Sequence, residues 1–170
     1  MKTRFLYIIC LLTIVLCSCL DKTKSHYTPQ IYVSLLTTTK GDTLLAHEVQ
    51  DASYYRLDTC YLGDTVNFVV SFDAVGNELK RTYIEWDKTN LDISNTNYSG
   101  LKGVLVQPTD SANLDYYYQP LLSGSALKLQ VLPVKTGETP VVFGVESDSK
   151  YSPQTLNVHF IVADTANSEK

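Results

Sequence analysis

The three histidines of this chain are the residues with the clearest capacity for metal binding or acid–base chemistry. His26, His47 and His159 lie far apart, and none has a histidine or cysteine two or four positions away. A zinc site needs three or four nitrogen, sulfur or oxygen ligands, and a local pair usually begins one. We therefore expect no metal site, and nothing in the sequence indicates a cofactor.

Catalysis by a serine nucleophile is also not indicated. The chain has no G-x-S-x-G motif, and its Ser99-Gly100 and Ser123-Gly124 pairs are typical of turns, where the serine hydroxyl bonds nearby backbone. A base from a distant part of the sequence would escape this reasoning. We expect no catalytic residues and a protein that is not an enzyme.

Glu85 and Asp87 are two residues apart, so they would share one face of a strand. Such a pair could begin a glycosidase site or a calcium site. Ile84 and Trp86 alternate with them and are expected to face the core, where Trp86 would pack one sheet against the other. The two carboxylates are therefore expected to face solvent, as on any half-buried strand.

The tyrosine runs are the features with binding character. Tyr54-Tyr55 and Tyr116-Tyr117-Tyr118 would place rings on both faces of an extended segment, so that one face of each run is exposed. Exposed rings can stack on sugars or anchor a protein partner. Candidate ligand-binding residues are therefore Tyr54, Tyr55, Tyr116 and Tyr118. The alternative is the ordinary preference of tyrosine for strands.

Cys19 is the candidate site of lipid attachment. Lys2 and Arg4 precede an apolar run over 5–16, which is too short for a comfortable membrane span and fits a cleaved signal peptide. The segment Leu16-Cys17-Ser18-Cys19 resembles a bacterial lipobox, in which the last cysteine is acylated and becomes the mature N-terminus. This resemblance implies a protein held at a membrane of the cell envelope, with the outer membrane expected.

Cys60 is the cysteine that would remain for the folded domain. Cys10 and Cys17 belong to the predicted signal peptide, and Cys19 is the predicted lipid site, so Cys60 has no partner for a disulfide. We expect a buried and inert thiol, with a reactive or intermolecular thiol as the alternative.

Charge argues against a nucleic-acid partner. Removing residues 1–18 takes away Lys2 and Arg4 and no acid, which changes the formal net charge from −4 to −6. Phosphate binding needs a basic face, and the sequence contains no cluster of lysine and arginine.

Period-two alternation dominates from Gln30 onward and predicts an all-β, antiparallel sandwich of about seven or eight strands. The expected organisation is a signal peptide over 1–18, a lipidated N-terminus and tether over 19–29, the sandwich over 30–164 and a polar tail over 165–170. The expected strands are 30–36, 43–49, 66–72, 83–86, 102–106, 127–131, 140–145 and 156–162. The expected core is Val66, Phe68, Val70, Phe72, Trp86, Leu129, Val131, Phe143, Leu156, Val158 and Phe160.

Two segments resemble the immunoglobulin-like domains of Bacteroidota-type lipoproteins. They are the turn and strand over 62–70, beginning Leu62-Gly63-Asp64, and the hairpin over 134–145, followed by the strand over 156–162. The cysteine and tryptophan pattern of antibody domains is absent. The resemblance implies an immunoglobulin-like sandwich. A further likeness is to small lipoproteins encoded with conjugative transposons in the same bacteria.

These observations lead to an expected function class. We expect a lipid-anchored, non-catalytic binding or assembly module of the cell envelope, whose partners are the membrane and an envelope protein or glycan. The alternatives are a carbohydrate-binding surface lipoprotein, an accessory lipoprotein of a conjugation apparatus, and an enzyme whose polar residues converge from separate loops.

Overall fold

The computed structural model describes residues 27–49 and 53–164. The predicted signal peptide, Cys19, His26 and the polar tail from residue 165 lie outside the described residues. Tyr27 to Pro29, predicted as the end of the tether, belong to the folded domain, since Pro29 is buried and Ser149 Oγ donates a hydrogen bond of 2.6 Å to the carbonyl of Tyr27.

Within these residues the chain forms twelve strands and one four-residue helix. In chain order they are β1 (Gln30–Thr38), β2 (Ala46–Glu48), β3 (Tyr54–Leu57), β4 (Cys60–Tyr61), β5 (Val66–Asp73), β6 (Leu79–Trp86), β7 (Leu91–Asn95), α1 (Tyr98–Leu101), β8 (Leu105–Asp110), β9 (Asp115–Tyr118), β10 (Gly124–Pro133), β11 (Gly137–Ser147) and β12 (Gln154–Ala163).

The strands form the two sheets of a sandwich. The smaller sheet has the order β1-β5-β10-β7, and the larger has the order β2-β3-β12-β11-β6-β9-β8, with β4 also paired to β12. The predicted all-β, immunoglobulin-like sandwich is thereby confirmed. Most pairings are antiparallel, but β3 and β4 both pair with β12 in parallel, which the sequence pattern did not predict.

The core lies between the inward faces of the two sheets. Phe68 from β5 reaches across to Phe143 and Phe160 of the larger sheet, with ring centroids 5.9 and 6.0 Å apart. Strand β5 shows why: its residues alternate strictly between buried and half-buried positions, from Val66 to Phe72. Nine predicted core residues are buried, while Trp86 and Leu156 are partly buried and pack against the core; the nine are Val66, Phe68, Val70, Phe72, Leu129, Val131, Phe143, Val158 and Phe160.

Several predicted strands have different bounds. The predicted strand over 43–49 is reduced to Ala46–Glu48, and the segment over 102–104 is a turn after α1 rather than the start of a strand. The short strands β3, β4, β7 and β9 were not predicted.

The sandwich has two ends that matter for function. The N-terminal end contains Tyr27 and the turns over 74–78, 119–123 and 148–153, whereas the distal end contains the turns over 39–42, 87–90, 111–114 and 134–136. Strand β6 runs from the first to the second, from Leu79 to Trp86. Across residues 27–49 and 53–164, no helix is long and apolar enough to cross a bilayer.

Candidate functional site

Tyr116 and Tyr118 do not form the exposed pair that the sequence suggested. Their side chains are 0% and 4% exposed, because β9 turns this face toward the core. Asn95 Nδ2 donates a hydrogen bond of 3.1 Å to the hydroxyl of Tyr116, and the hydroxyl of Tyr118 lies 2.9 Å from Thr82 Oγ1. Burial raises the pKa of Tyr116 to about 12. The prediction that Tyr116 and Tyr118 bind a ligand at the surface is therefore wrong. Both are core residues whose hydroxyl groups form hydrogen bonds.

The ring of Tyr54 packs against His159 on the outer face of the larger sheet. Its ring stacks on His159 with centroids 3.9 Å apart, and His159 Nδ1 lies 2.7 Å from Glu138 Oε1. Arg56 Nη2 donates to the other oxygen of Glu138 at 3.3 Å. The side chain of His159 is only 22% exposed, because Tyr54 covers it.

His47 forms a second contact between a histidine and a carboxylate on the same sheet. Its Nε2 lies 2.8 Å from Asp58 Oδ1, and the backbone N–H of Leu45 donates to Asp58 Oδ2 at 2.9 Å. The bond from Leu45, together with that from His47, lowers the pKa of Asp58 below its usual value. These contacts explain the positions of His47 and His159, because they hold the short strands β2 and β3 in place. Nowhere in the described residues do three or more His, Cys, Asp or Glu side chains form a group suited to a metal ion.

Tyr55 lines an apolar opening between the two sheets, which we call the seam pocket. The ring is 36% exposed, and the pocket of about 310 Å³ lies between β1 and the paired strands β2, β3 and β12. Its lining consists of Ile31, Tyr32, Val33, Ala46, Tyr55, Leu156 and Val158. Among the four candidate tyrosines, Tyr55 therefore lines the seam pocket.

A second concave surface, which we call the β6 pocket, lies beside β6 toward the distal end. It has a volume of about 300 Å³. Strand β9 pairs with β6 only from Arg81 to Tyr83, so the edge of β6 beyond Tyr83 is open on that side. The lining residues are Arg81, Tyr83, Ile84, Glu85, Trp86, Lys88, Asn113 and Asp115.

Arg81 holds one wall of the β6 pocket in place. Its guanidinium donates to both oxygens of Asp115, at 2.7 and 3.0 Å, and to Glu146 Oε1 at 2.8 Å. It also lies over the rings of Tyr83 and Tyr117, 4.7 and 5.3 Å from their centroids. The hydrogen bonds to Asp115 raise the pKa of Arg81 above its usual value, with Glu146 contributing less. Arg81 therefore remains a fixed cation.

Trp86 and Lys88 form the distal wall. Trp86 Nε1 donates a hydrogen bond of 2.9 Å to the carbonyl of Leu91, which links the larger sheet to the smaller one as its predicted core role requires. Lys88 Nζ lies 5.2 Å from the centroid of the Trp86 ring and bonds to Asn113 Oδ1. Glu85 and Asp87 are exposed, as predicted, and Asp87 accepts hydrogen bonds from Thr89 in the following turn.

The β6 pocket combines aromatic rings with fixed polar groups. Burial, followed by the nearby charge of Glu85, raises the pKa of Tyr83, so its hydroxyl stays protonated and can donate. Asn113 and Lys88 add an amide and an ammonium group at the rim. This is a lining suited to binding a polar molecule with apolar faces, and it contains no serine or cysteine nucleophile.

Part of this site could be predicted from the alternation of residues in β6. The inward residues of β6 alternate with Arg81, Tyr83 and Glu85. These three residues are therefore expected to lie on the outer face of the strand. Asn113 and Asp115 could not be added from the sequence, since only the pairing of β9 with β6 places them beside it.

The structure confirms the prediction that Cys60 is a buried thiol. It is 1% exposed, and its Sγ–H donates to the carbonyl of Ile161 at 3.3 Å. Burial raises the pKa of this thiol to about 11, so it is protonated at neutral pH.

Comparison with known proteins gives fold-level likeness only. No protein-family model matches the chain, and no curated protein matches it significantly. Among solved structures, the chain is similar to the ASH / PapD-like domain 7 of human CEP192, with 9% identity, 85% of this chain and 92% of that chain covered, and a TM-score of 0.39. It is also similar to a family 123 glycoside hydrolase from Clostridium perfringens, with 12% identity, 81% of this chain covered and a TM-score of 0.40. The match covers only 27% of the length of that hydrolase.

Proposed function

We propose that this protein is a lipid-anchored, non-catalytic binding module of the bacterial cell envelope. Acylated Cys19 would retain the domain at the outer membrane, and the sandwich would present its distal half to a partner. Lipid chains contribute about 0.8 kcal/mol per buried methylene, so several chains give a durable anchor.

One structural relationship supports this proposal above the others. The chain reaches the domain at the N-terminal end, where Ser149 holds the carbonyl of Tyr27, whereas the β6 pocket lies toward the distal end beside Trp86 and Lys88. An anchor before Tyr27 therefore leaves the pocket on the half of the domain that faces away from the attachment point.

The pairing of several polar groups supports the non-catalytic part of the proposal. The carboxylates of Asp115 and Glu146 are both bonded to Arg81, and His159 is enclosed between Tyr54 and Glu138. A general acid or base must reach the proton that it transfers. These groups are committed to contacts within the domain instead.

Site-directed photo-crosslinking in intact cells tests the proposal. A photoreactive residue at Asn113, on the rim of the β6 pocket, should capture a repeatable envelope partner that mass spectrometry identifies. The matched control is the same residue at Lys128, which is exposed on the outer face of β10. Equal capture from both positions, or unchanged capture when Cys19→Ala prevents anchoring, would contradict display of this site from the membrane.

A carbohydrate-binding lipoprotein is the second candidate function, and the lining of the β6 pocket favours it. Tyr83 and Trp86 supply aromatic surface, while Asn113 and Lys88 supply hydrogen-bond donors at the rim. Aromatic faces stack on the apolar faces of sugars, and polar groups then fix their hydroxyls.

A glycan array probed with the mature protein tests this candidate. A sugar bound in the β6 pocket should lose most of its signal on Asn113→Ala and on Lys88→Ala, because both side chains are exposed and their removal leaves the core intact. Lys135→Ala, an exposed lysine outside the pocket, is the control. A glycan signal that resists both pocket variants would place the sugar elsewhere, and no signal would leave a protein partner as the proposal.

A further inference from the structure

Three large side chains are exposed together at the N-terminal end of the sandwich. Leu121 is 77% exposed, Tyr27 is 67% exposed and Tyr151 is 47% exposed. Single exposed apolar residues are ordinary on protein surfaces, and three of them at one end make that end a candidate interaction surface.

Hydrogen bonds bring these residues to the same end. Ser149 Oγ donates to the carbonyl of Tyr27 at 2.6 Å and accepts from the backbone N–H of Tyr151 at 3.2 Å. The turn that contains Leu121 is tied to β6 by the bond from Leu79 N–H to the carbonyl of Leu122, at 2.6 Å. The neighbouring Glu78 carbonyl in turn accepts from Asp148, which connects this turn to the one that contains Ser149.

Leu121 combines high exposure with an unfavourable backbone conformation. Its φ is +73°, in the left-handed region that bulky side chains rarely adopt. Glycine or asparagine would fit this turn position at a lower energetic cost, so a leucine placed there and exposed to water calls for a function.

The acidic side chains of this end are bonded within the domain. Asp73 accepts from the N–H of Val75 at 2.7 Å, and Asp148 accepts from the N–H of Glu78 at 2.6 Å. Lys150 adds a cation 6.0 Å from the centroid of the Tyr151 ring.

We propose that this surface, formed by Tyr27, Leu121 and Tyr151, docks on the phospholipid bilayer in which Cys19 is anchored. The inference rests on the proposed lipid anchor. The Cα atoms of Cys19 and Tyr27 are eight residue steps apart along the chain, which span at most about 29 Å when fully extended. The tether thus keeps this end at a high effective concentration beside the bilayer, so a weak contact suffices. Tyrosine favours the boundary between lipid and water, and leucine favours the acyl region.

Depth-dependent fluorescence quenching tests the docking. The mature lipoprotein is purified from membranes with Leu121→Cys, labelled with an environment-sensitive dye, and reconstituted in phosphatidylcholine vesicles with brominated acyl chains. Thr136→Cys, an exposed position at the distal end, is the matched control, and Tyr151→Cys is a second docking position. Native Cys60 is buried and should not take the dye.

We expect quenching and a blue shift at residues 121 and 151, and neither at residue 136. Dyes at residues 121 and 136 that are equally unquenched, on protein that still floats with the vesicles, would overturn the docking and leave the anchor intact. Wild-type protein that does not float with the vesicles would overturn the anchor and the docking together.

Discussion

The phenol end of Tyr83 occupies the space in which a Cβ on Gly144 would lie. The two residues are direct partners on β6 and β11, and a Cβ built on Gly144 would stand 2.1 Å from Cζ of the tyrosine ring. Because Gly144 has no side chain, it leaves room for the Tyr83 ring, which forms part of the β6 pocket. An aromatic side chain that covers a glycine on the next strand also compensates for the missing side chain.

Gly144→Ala is expected to destabilise the domain by about 1–3 kcal/mol, because the methyl group must displace the ring from a packed position. Denaturant unfolding measures the loss. Gly103→Ala is the control, since a Cβ there meets nothing within 4 Å, and it should change stability by less than about 0.5 kcal/mol. In a Tyr83→Ala background the cost of Gly144→Ala should largely disappear; a cost that persists would mean that the ring is not its cause.

Phe68→Ala and Phe160→Ala should each cost about 3–5 kcal/mol, because each removes a buried ring that joins the two sheets. Unfolding monitored by circular dichroism checks both values. Val134→Ala, at a side chain that is 53% exposed, is the control and should be nearly neutral. A loss below about 1 kcal/mol at both phenylalanines would contradict the position of the core.

Arg81→Lys should destabilise the domain by about 1–2 kcal/mol, because lysine cannot bond both oxygens of Asp115 together with Glu146 and solvent screens part of the loss. Arg56→Lys provides the comparison. That arginine is 52% exposed and makes one bond of 3.3 Å to Glu138, so its replacement should be nearly neutral. Equal effects at both positions would mean that the network around Arg81 adds no stability.

The sequence was informative wherever alternation was strict and long. Strand β5 has Val66, Phe68, Val70 and Phe72 on one face, and the predicted strand differs from the observed one by a single residue at its end. Strands β3, β4 and β9 have four residues or fewer, which is too short for a period to be counted, so they were missed. Their positions depend on distant partners such as β12 and β6.

The tyrosine runs show what alternation leaves undetermined. Period two established that Tyr116 and Tyr118 share a face, but it does not say which face points inward. That choice follows from the pairing of Thr82 with Tyr116, which sets β9 beside β6 in the register that buries both rings. The β6 pocket likewise requires residues from β6 and from the turn before β9, which no local pattern connects.

The thiol of Cys60 should react slowly with a thiol reagent in the native protein and rapidly in denaturant, because it is buried and its pKa is raised to about 11. The denatured mature chain should titrate a single thiol, since acylation removes that of Cys19, and Cys60→Ala should titrate none. Rapid labelling of the native protein would favour a reactive thiol.

The same shift makes a contribution to stability that depends on pH. The unfolded thiol ionises near pH 9.0 and the folded thiol near 11, so the neutral form is favoured by folding. The contribution is complete below pH 9.0 and is lost as the pH rises to about 11, by roughly 1.4 kcal/mol per pH unit at most. Unfolding curves of wild type and Cys60→Ala should converge over this range. Curves that keep a constant separation would contradict the shift.

Metabolic labelling with a palmitate analogue tests the anchor at Cys19 most directly, and both the proposed display from a membrane and the proposed docking depend on that anchor. Wild-type cells should give a labelled protein in the membrane fraction, and Cys19→Ala should give an unlabelled protein, because no other cysteine follows the small residue at the end of the apolar run. Cys60→Ala is the matched control and should keep both the label and the membrane location. If Cys19→Ala is labelled and membrane-bound to the same extent as wild type, the anchor is wrong, and with it the display of the β6 pocket from a membrane.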